Sequence, residues 1–304
     1  VSFVAYHDRS GTTSGTVALI VVVSALWGAP YLLIAVAVEE VAPILVVAGR
    51  CAIAAATMLA IAGPDRLRSL RLRHLPWIGV LAVLQYAVPF TLITIGEQSV
   101  PSSLAGILIA ATPLFVAALA PLVDRSETPA GRQALGLGIG GVVVLLGLDV
   151  ADASLAGGAL IMLAALSYGS NAFVLKLRLA DAHPIAIVGT ACAGAALLTA
   201  VPGAFLMPDR PPSTAALTSI VVLGLGCTGA AFTLFGILNA RVGPSRSSVV
   251  VYLAPGVAML LGVLLLDEPF GVSTGFGLGL ILAGSWLVAR GRTAGRADPA
   301  ARQP

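Results

Sequence analysis

One hydrophobic unit is written twice in this chain, and a duplication of that length leaves few folds open. Residues 16–149 and 155–290 align at an offset of 141–142 positions. Ala25-Leu26-Trp27-Gly28 returns as Ala165-Leu166-Ser167-Tyr168-Gly169, with Trp27 opposite Tyr168. Pro43-Ile44 returns as Pro184-Ile185, and Phe90-Thr91-Leu92 as Phe232-Thr233-Leu234. Pro113 matches Pro255, and Gly136-Leu137-Gly138 matches Gly277-Leu278-Gly279. Chance matches between Ala-, Leu- and Gly-rich segments are common, but a near-constant offset that also carries Pro and aromatic positions is not. Doubled membrane units of this kind are a mark of secondary transporters.

Composition places the unit in a bilayer. The chain is 58% hydrophobic and 10% charged, with a mean hydropathy of +0.99, whereas a soluble domain carries about 25% charged residues. The 34 glycines suit helices that pack through small residues in lipid. Cys51, Cys192 and Cys227 lie inside apolar runs without disulfide or metal-ligand spacing and read as small hydrophobes. The net charge of +3 is scattered over short loops, which argues against a nucleic-acid partner. Ala35-Val36-Ala37 resembles a signal-peptidase site, but the apolar run before it exceeds an h-region of roughly 7–15 residues and has an internal counterpart, so it is read as part of the fold.

A helix needs about 20 apolar residues to cross the hydrocarbon core. Such segments fall at 16–38, 43–62, 76–96, 101–122 and 131–148, then at 155–177, 184–206, 213–239, 245–266 and 271–289. The expected fold is an all-α integral membrane protein of ten transmembrane helices. Its domains are two five-helix repeats, 16–149 and 155–290, followed by a basic tail at 291–304.

Charge sets the orientation. With a cytoplasmic N-terminus, fifteen of the 17 basic residues fall on the cytoplasmic side, among them Arg66, Arg68, Arg71 and Arg73 in one loop. Arg210 lies outside and Arg50 within a span. The outer loops hold Glu39, Glu40, Asp149, Asp152, Asp209, Asp267 and Glu268. This bias predicts a cell-membrane protein with both termini cytoplasmic. Five spans per half is an odd number, so the second half enters from the opposite side and the repeats are inverted. Inverted halves can exchange shapes and open a central site to either side.

These residues resemble the EamA domains of the drug/metabolite transporter superfamily. The similarity is carried by A-L-W-G-x-x-Y in the first span, Arg50 in the second, V-P-S-S-L-A-G-I-L-I-A-A-T-P-L-F at 100–115 and G-P-S-R-S-S-V-V-V-Y-L-A-P at 243–255. An acidic residue follows each of the latter two, Glu127 and Glu268. The resemblance runs from 16 to 290 and implies ten helices, a central cavity and transport, chiefly export, of small organic metabolites such as amino acids or drug-like compounds. Two positions depart from a symmetrical pattern: Arg50 aligns with Ala191, and the spacing from Pro113 to Glu127 is one residue longer than from Pro255 to Glu268.

Candidate substrate-binding residues follow from polar and aromatic groups inside spans. Arg50 lies seven residues past Pro43, about 10 Å along its helix, where a charge is costly and is paired or faces a cavity. It reads as a counter-charge for an anionic substrate, or as a cation that snorkels outward or bridges helix carbonyls. Trp27 and Tyr31 sit one turn apart, and Tyr168 is the mate of Trp27; together they either line the cavity from both sides or pack ordinarily. Gln85, Tyr86 and Glu97 mark the third span, with Asn239 at the repeat position of Glu97. Glu97 is the first candidate for proton coupling, against a solvated boundary charge. Asn171 and Tyr252 complete the set. Pro113 and Pro255 are expected as matched hinges or static bends. Glu127-Thr128-Pro129 and Asp267-Glu268-Pro269 read as helix caps. Gly136/Gly140 and Gly275/Gly279 have the spacing of internal close packing or of a homodimer contact.

No cofactor is expected. A membrane-embedded hydrolase needs Ser–His or paired Asp inside spans, but His7, His74 and His183 lie in termini or loops and no Asp lies mid-span. No phosphate loop, H-E-x-x-H or Rossmann motif occurs in a suitable context, and no charged ring or filter-like loop suggests a channel. The partners predicted are a small-molecule substrate and the bilayer, with proton or exchange coupling.

Overall fold

Backbone groups in hydrocarbon must be satisfied within their own segment, and an apolar chain does this by coiling. A computed structural model describes residues 14–123, 136, 138, 140–142 and 155–294. Among these, seven helices are long and apolar enough to cross a membrane: Ser14–Val38, Pro43–Arg68, Leu72–Gly96, Ser102–Pro121, Leu155–Leu175, Pro184–Leu206 and Thr214–Val242. Two shorter apolar helices follow, Val249–Leu265 and Thr274–Leu287. The chain is thus an all-helical, multi-pass membrane protein. Of the fifth expected span, only 136, 138 and 140–142 are described, and they are helical.

Several spans are interrupted. The first consists of α1 (Ser14–Gly28) and α2 (Pro30–Val38), the second of α3 (Pro43–Arg68). The third joins α4 (Leu75–Leu81) to α5 (Val88–Gly96) through a π-helical turn at Ala82–Ala87. The fourth breaks between α6 (Ser102–Ile109) and α7 (Thr112–Val123). The second half supplies α8 (Leu155–Arg178) and α9 (Pro184–Gly203), then α10 (Thr214–Val222) joined to α11 (Ala231–Val242) by a second π-helical turn, Leu223–Ala230. Finally come α12 (Val249–Leu265) and α13 (Val272–Ala294). Pro43 and Pro184 begin α3 and α9, where a missing amide hydrogen costs nothing.

The two π turns begin 141 residues apart, and their local causes differ. Pro89, in the first turn of α5, cannot bond backward and crowds the carbonyl of residue 85, and the widened turn precedes it. The second turn holds Gly224, Gly226 and Gly229, and the Thr228 hydroxyl donates to the Leu223 carbonyl at 2.8 Å.

Small residues let helices of opposite halves touch. The α3–α9 seam is built from Cys51, Ala54, Ala55, Ala191, Cys192 and Ala195, all buried. Gly28 of α1 lies against α12, where an added Cβ would sit 2.5 Å from Val257 Cβ and 2.7 Å from the Ala254 carbonyl oxygen. Its repeat mate Gly169 of α8 lies against α7, where an added Cβ would sit 2.9 Å from Phe115 Cβ and 3.2 Å from the Val116 amide nitrogen. Gly141 meets Gly277 and Ile281 of α13, whereas Gly279 faces open space.

Polar contacts join the halves at the loops. The Ser213 amide donates to Glu40 at 2.6 Å, and Ser213, chiefly its hydroxyl and then its amide, holds the Glu40 carboxyl below its ordinary pKa. Asp181, 141 positions after Glu40, pairs with Arg73 at 2.5 Å and lies 3.3 Å from His74 Nε2. Each carboxylate reaches the loop before the other half's π-containing span.

Gly28→Ala is expected to destabilise the protein by about 1–3 kcal/mol through overpacking, read as a lower unfolding midpoint in detergent. Gly79→Ala meets nothing within 4 Å and serves as the control that leaves the midpoint unchanged or raised. For Asp181 the sign follows from its lowered pKa, caused first by its hydrogen bond to Arg73. Its stabilising contribution is complete above the ordinary carboxylate range and is lost as pH falls through the depressed value. Hydrogen-exchange protection in the segment carrying Arg73 and His74, corrected for intrinsic exchange, should therefore fall on acidification in wild type and lack that step in Asp181→Asn.

Candidate functional site

The interruptions in the helices surround a cavity of about 240 Å³. Drug-sized ligands occupy sites of roughly 300–1,000 Å³, so this one suits a compact metabolite. Both halves build it. Trp27, Pro30, Tyr31 and Ile34 enter from the first span, and Arg50 from α3. Gln85 and Cys227 come from the two π turns, and Ala110 and Thr112 from the break between α6 and α7. Tyr168 of α8, Phe232 of α11 and Pro255 of α12 close the remaining walls.

Arg50 is 3% exposed, so it does not snorkel to the surface. Its Nη2 donates to Thr228 Oγ1 at 3.1 Å, and its guanidinium carbon lies 3.8 Å from the centroid of the Phe90 ring. Among the described residues its Nε has no hydrogen-bond partner. A guanidinium offers five donors, and a buried cation this sparsely bonded leaves room for an anion in the cavity. Thr228 was not a sequence candidate. Its signal was a hydroxyl inside an apolar, Gly-rich span, too common to single out.

Aromatic rings shape the walls. Trp27 packs against Phe232 at 5.7 Å and Phe235 at 4.7 Å between centroids. Tyr86 stands behind the wall, touching Phe90 at 5.6 Å and Phe232 at 5.8 Å, both nearly edge-on. Phe90 and Phe232 are repeat mates, and both line the cavity. Their place in the duplication pointed to them, but as apolar residues they did not stand out as ligands.

Of the expected substrate-binding residues, Trp27, Tyr31, Arg50, Gln85 and Tyr168 line the cavity, as does Pro255. The others lie elsewhere for identifiable reasons. Asn171, 1% exposed, donates to Gln85 Oε1 and so orients a lining residue. Beside it the Ser167 hydroxyl donates to the Leu84 carbonyl at 2.7 Å, supplying a partner to the π turn. Tyr86 is drawn back by its aromatic neighbours. Asn239 accepts from the Ser247 hydroxyl at 3.1 Å, and the Tyr252 hydroxyl donates to the Ser285 carbonyl at 3.2 Å. Glu97 is buried at the end of α5. Pro113 sits just after the helix break, whereas Pro255 lies within unbroken α12, so the pair is not geometrically matched. Glu127 falls outside the described residues. The three cysteines are buried and unbridged. Among the described residues no three His, Cys, Asp or Glu side chains cluster to hold a metal.

Thr228→Val should cost about 1–3 kcal/mol, because it strips the buried Arg50 of its hydroxyl partner, while Thr228→Ser should restore the unfolding midpoint. An unchanged midpoint in the valine variant would show that this bond does not support the fold.

Comparison with known proteins accords with this architecture. A model of the EamA-like transporter family matches the chain twice, over residues 14–147 and 155–290. An uncharacterized transporter of Archaeoglobus fulgidus is 26% identical over 276 residues, covering 88% of this chain and 95% of that protein. The uncharacterized inner membrane transporter YedA of Escherichia coli is 24% identical, covering 88% of each. A probable terminal-alkyne amino-acid exporter of Streptantibioticus cattleyicolor is 28% identical over 81% of this chain and 84% of its own. One solved crystal structure superposes with a TM-score of 0.64 at 20% identity, over 91% of this chain and 98% of that one, a likeness of fold. The chain belongs to the EamA-like transporter family.

Proposed function

We propose that this protein is a secondary carrier of small organic metabolites, such as amino acids, that works by alternating access between two inverted five-helix repeats. The observation that carries the reading is a compact, aromatic-walled cavity with one buried, sparsely bonded cation. A carboxylate would take the free donors of Arg50, and the apolar remainder of the substrate would lie against Trp27, Tyr31, Tyr168 and Phe232. Gln85, oriented by Asn171, supplies a hydrogen-bonding group beside them.

Support for the inverted plan comes from correspondence between the halves: the two π turns, the mated helix contacts of Gly28 and Gly169, and the loop contacts of Glu40 and Asp181. Support for export comes from the relative named as an amino-acid exporter. The positive-inside bias supports a cell-membrane protein with both termini in the cytoplasm. With the loops read that way, Glu40 and Glu268 lie outside, and Arg73 and Asp181 inside.

Counterflow in proteoliposomes tests the reading. External labelled amino acids should accumulate when unlabelled substrate is loaded inside, and a protein that exchanges nothing across a broad metabolite panel is not a carrier. Arg50→Ala should weaken apparent substrate affinity by about 10–100-fold, the range for a lost charged hydrogen bond of about 1.5–3 kcal/mol, while remaining monodisperse. Equal loss with a substrate lacking a carboxylate would assign Arg50 to the fold instead of to recognition.

A further inference from the structure

Glu268 belongs to the second half and bonds to the first. Its Oε1 accepts from the Ser102 amide at 2.7 Å and its Oε2 from the Ser103 amide at 2.9 Å. These are the opening residues of α6, where free amides and the helix dipole favour an anion. The local backbone is shaped for this contact. Asp267 has φ +52°, a left-handed conformation uncommon outside glycine. Gly262 leaves room for the carboxylate, since an added Cβ would clash with Glu268 Oε2.

Five residues before Ser102 stands a second carboxyl, Glu97, whose surroundings are the reverse. Glu97 is 9% exposed and follows the span Leu72–Gly96. Neither of its oxygens has a hydrogen-bond partner among the described residues, and nor does the Ser102 hydroxyl. It caps the C-terminal end of α5, where the helix dipole opposes negative charge. The groups that bear on it are Glu268 from the loop after α12 and Arg50 from α3, with Tyr31 from α2. The first turns of α8, packed beside α5, are apolar or glycine. Burial first, and then the Glu268 carboxylate, favour the neutral acid; Arg50 opposes them. A buried carboxyl without a partner holds its proton, whereas Glu268 accepts from two amides at a helix start.

We propose that Glu97 is a proton-binding site and that its proton controls the Glu268 clasp between the two halves. With Glu97 neutral, the clasp is closed. When the proton passes to water, two carboxylates face one another in a poorly solvated site, and their repulsion is relieved by moving Glu268 off the start of α6. The clasp needs no transport reading. Calling it the coupling step of a proton-driven carrier rests on the function proposed above: with this face outside, protonation from an acidic exterior shuts it after substrate release.

Hydrogen exchange by mass spectrometry, on the full chain in lipid nanodiscs, tests the clasp apart from transport. In wild type, protection of the Ser102 and Ser103 amides, corrected for intrinsic exchange, should fall with rising pH by up to about tenfold per pH unit, the slope for one linked proton. Glu97→Gln, permanently neutral, should keep these amides protected throughout. Glu268→Gln should lower protection at every pH and remove the step. Wild-type protection that ignores pH, or the same step in Glu97→Gln, would overturn the proposal. Should the glutamine variant fail to fold, infrared difference spectra of wild type decide instead: a protonated-carboxyl band must vanish over the same pH interval as protection, and its absence refutes the site. A pH-controlled clasp in a protein without counterflow would support the clasp while removing the carrier reading.

Discussion

Unpaired backbone amides and carbonyls are intolerable in hydrocarbon, and that constraint organises this molecule. Most of its length is helix because a helix meets the requirement locally. Several departures from regular helix geometry border the cavity, while the kink at Gly63 of α3 lies apart from it. Pro30 begins the second piece of the first span, Gln85 and Cys227 sit in π turns, and Ala110 and Thr112 flank the break in the fourth. Each departure needs a substitute partner. Ser167 supplies one to the Leu84 carbonyl and Thr228 one to the Leu223 carbonyl. Irregular backbone is tolerated at membrane depth where it is buried in protein or lines a cavity, as at these four places.

The duplicated halves share this plan but not its details. Pro89 follows one π turn, whereas three glycines and a threonine hydroxyl accompany the other. Pro113 marks a broken helix and Pro255 an unbroken one. Arg50 faces Thr228 across the halves, while its mate Ala191 packs in the buried α3–α9 seam. Glu97 is buried without a hydrogen-bond partner among the described residues, but Asn239 bonds to Ser247. The halves share a scaffold, and Arg50 and Glu97 stand where their side chains differ.

Contacts between the halves differ in kind with depth. Small residues within the bilayer bring helices into close approach, as at Gly28 and Gly169, and such contacts resist substitution because they meet Cβ or backbone atoms. At the loops, carboxylates meet amides or guanidinium groups, as at Glu40, Asp181 and Glu268. These polar contacts can be made or released with modest changes of charge, whereas packed seams can only slide or pivot.

The apolar, all-helical character, the duplication, the family and the isolated cation could all be read from the chain, because each depends on composition and spacing along one dimension. Five of the ten candidate binding residues were found lining the cavity, all of them aromatic or polar groups well inside spans. Thr228, Phe90 and Phe232 were not singled out, since hydroxyls and phenylalanines are ordinary in membrane helices and acquire meaning only opposite Arg50. The retreat of Tyr86, the support of Gln85 by Asn171 and the capture of α6 by Glu268 depend on residues 80 to 170 positions apart meeting in space. Hydropathy sets how often a chain crosses the bilayer. Which side chains then meet is a matter of helix rotation and close packing, which no one-dimensional pattern encodes.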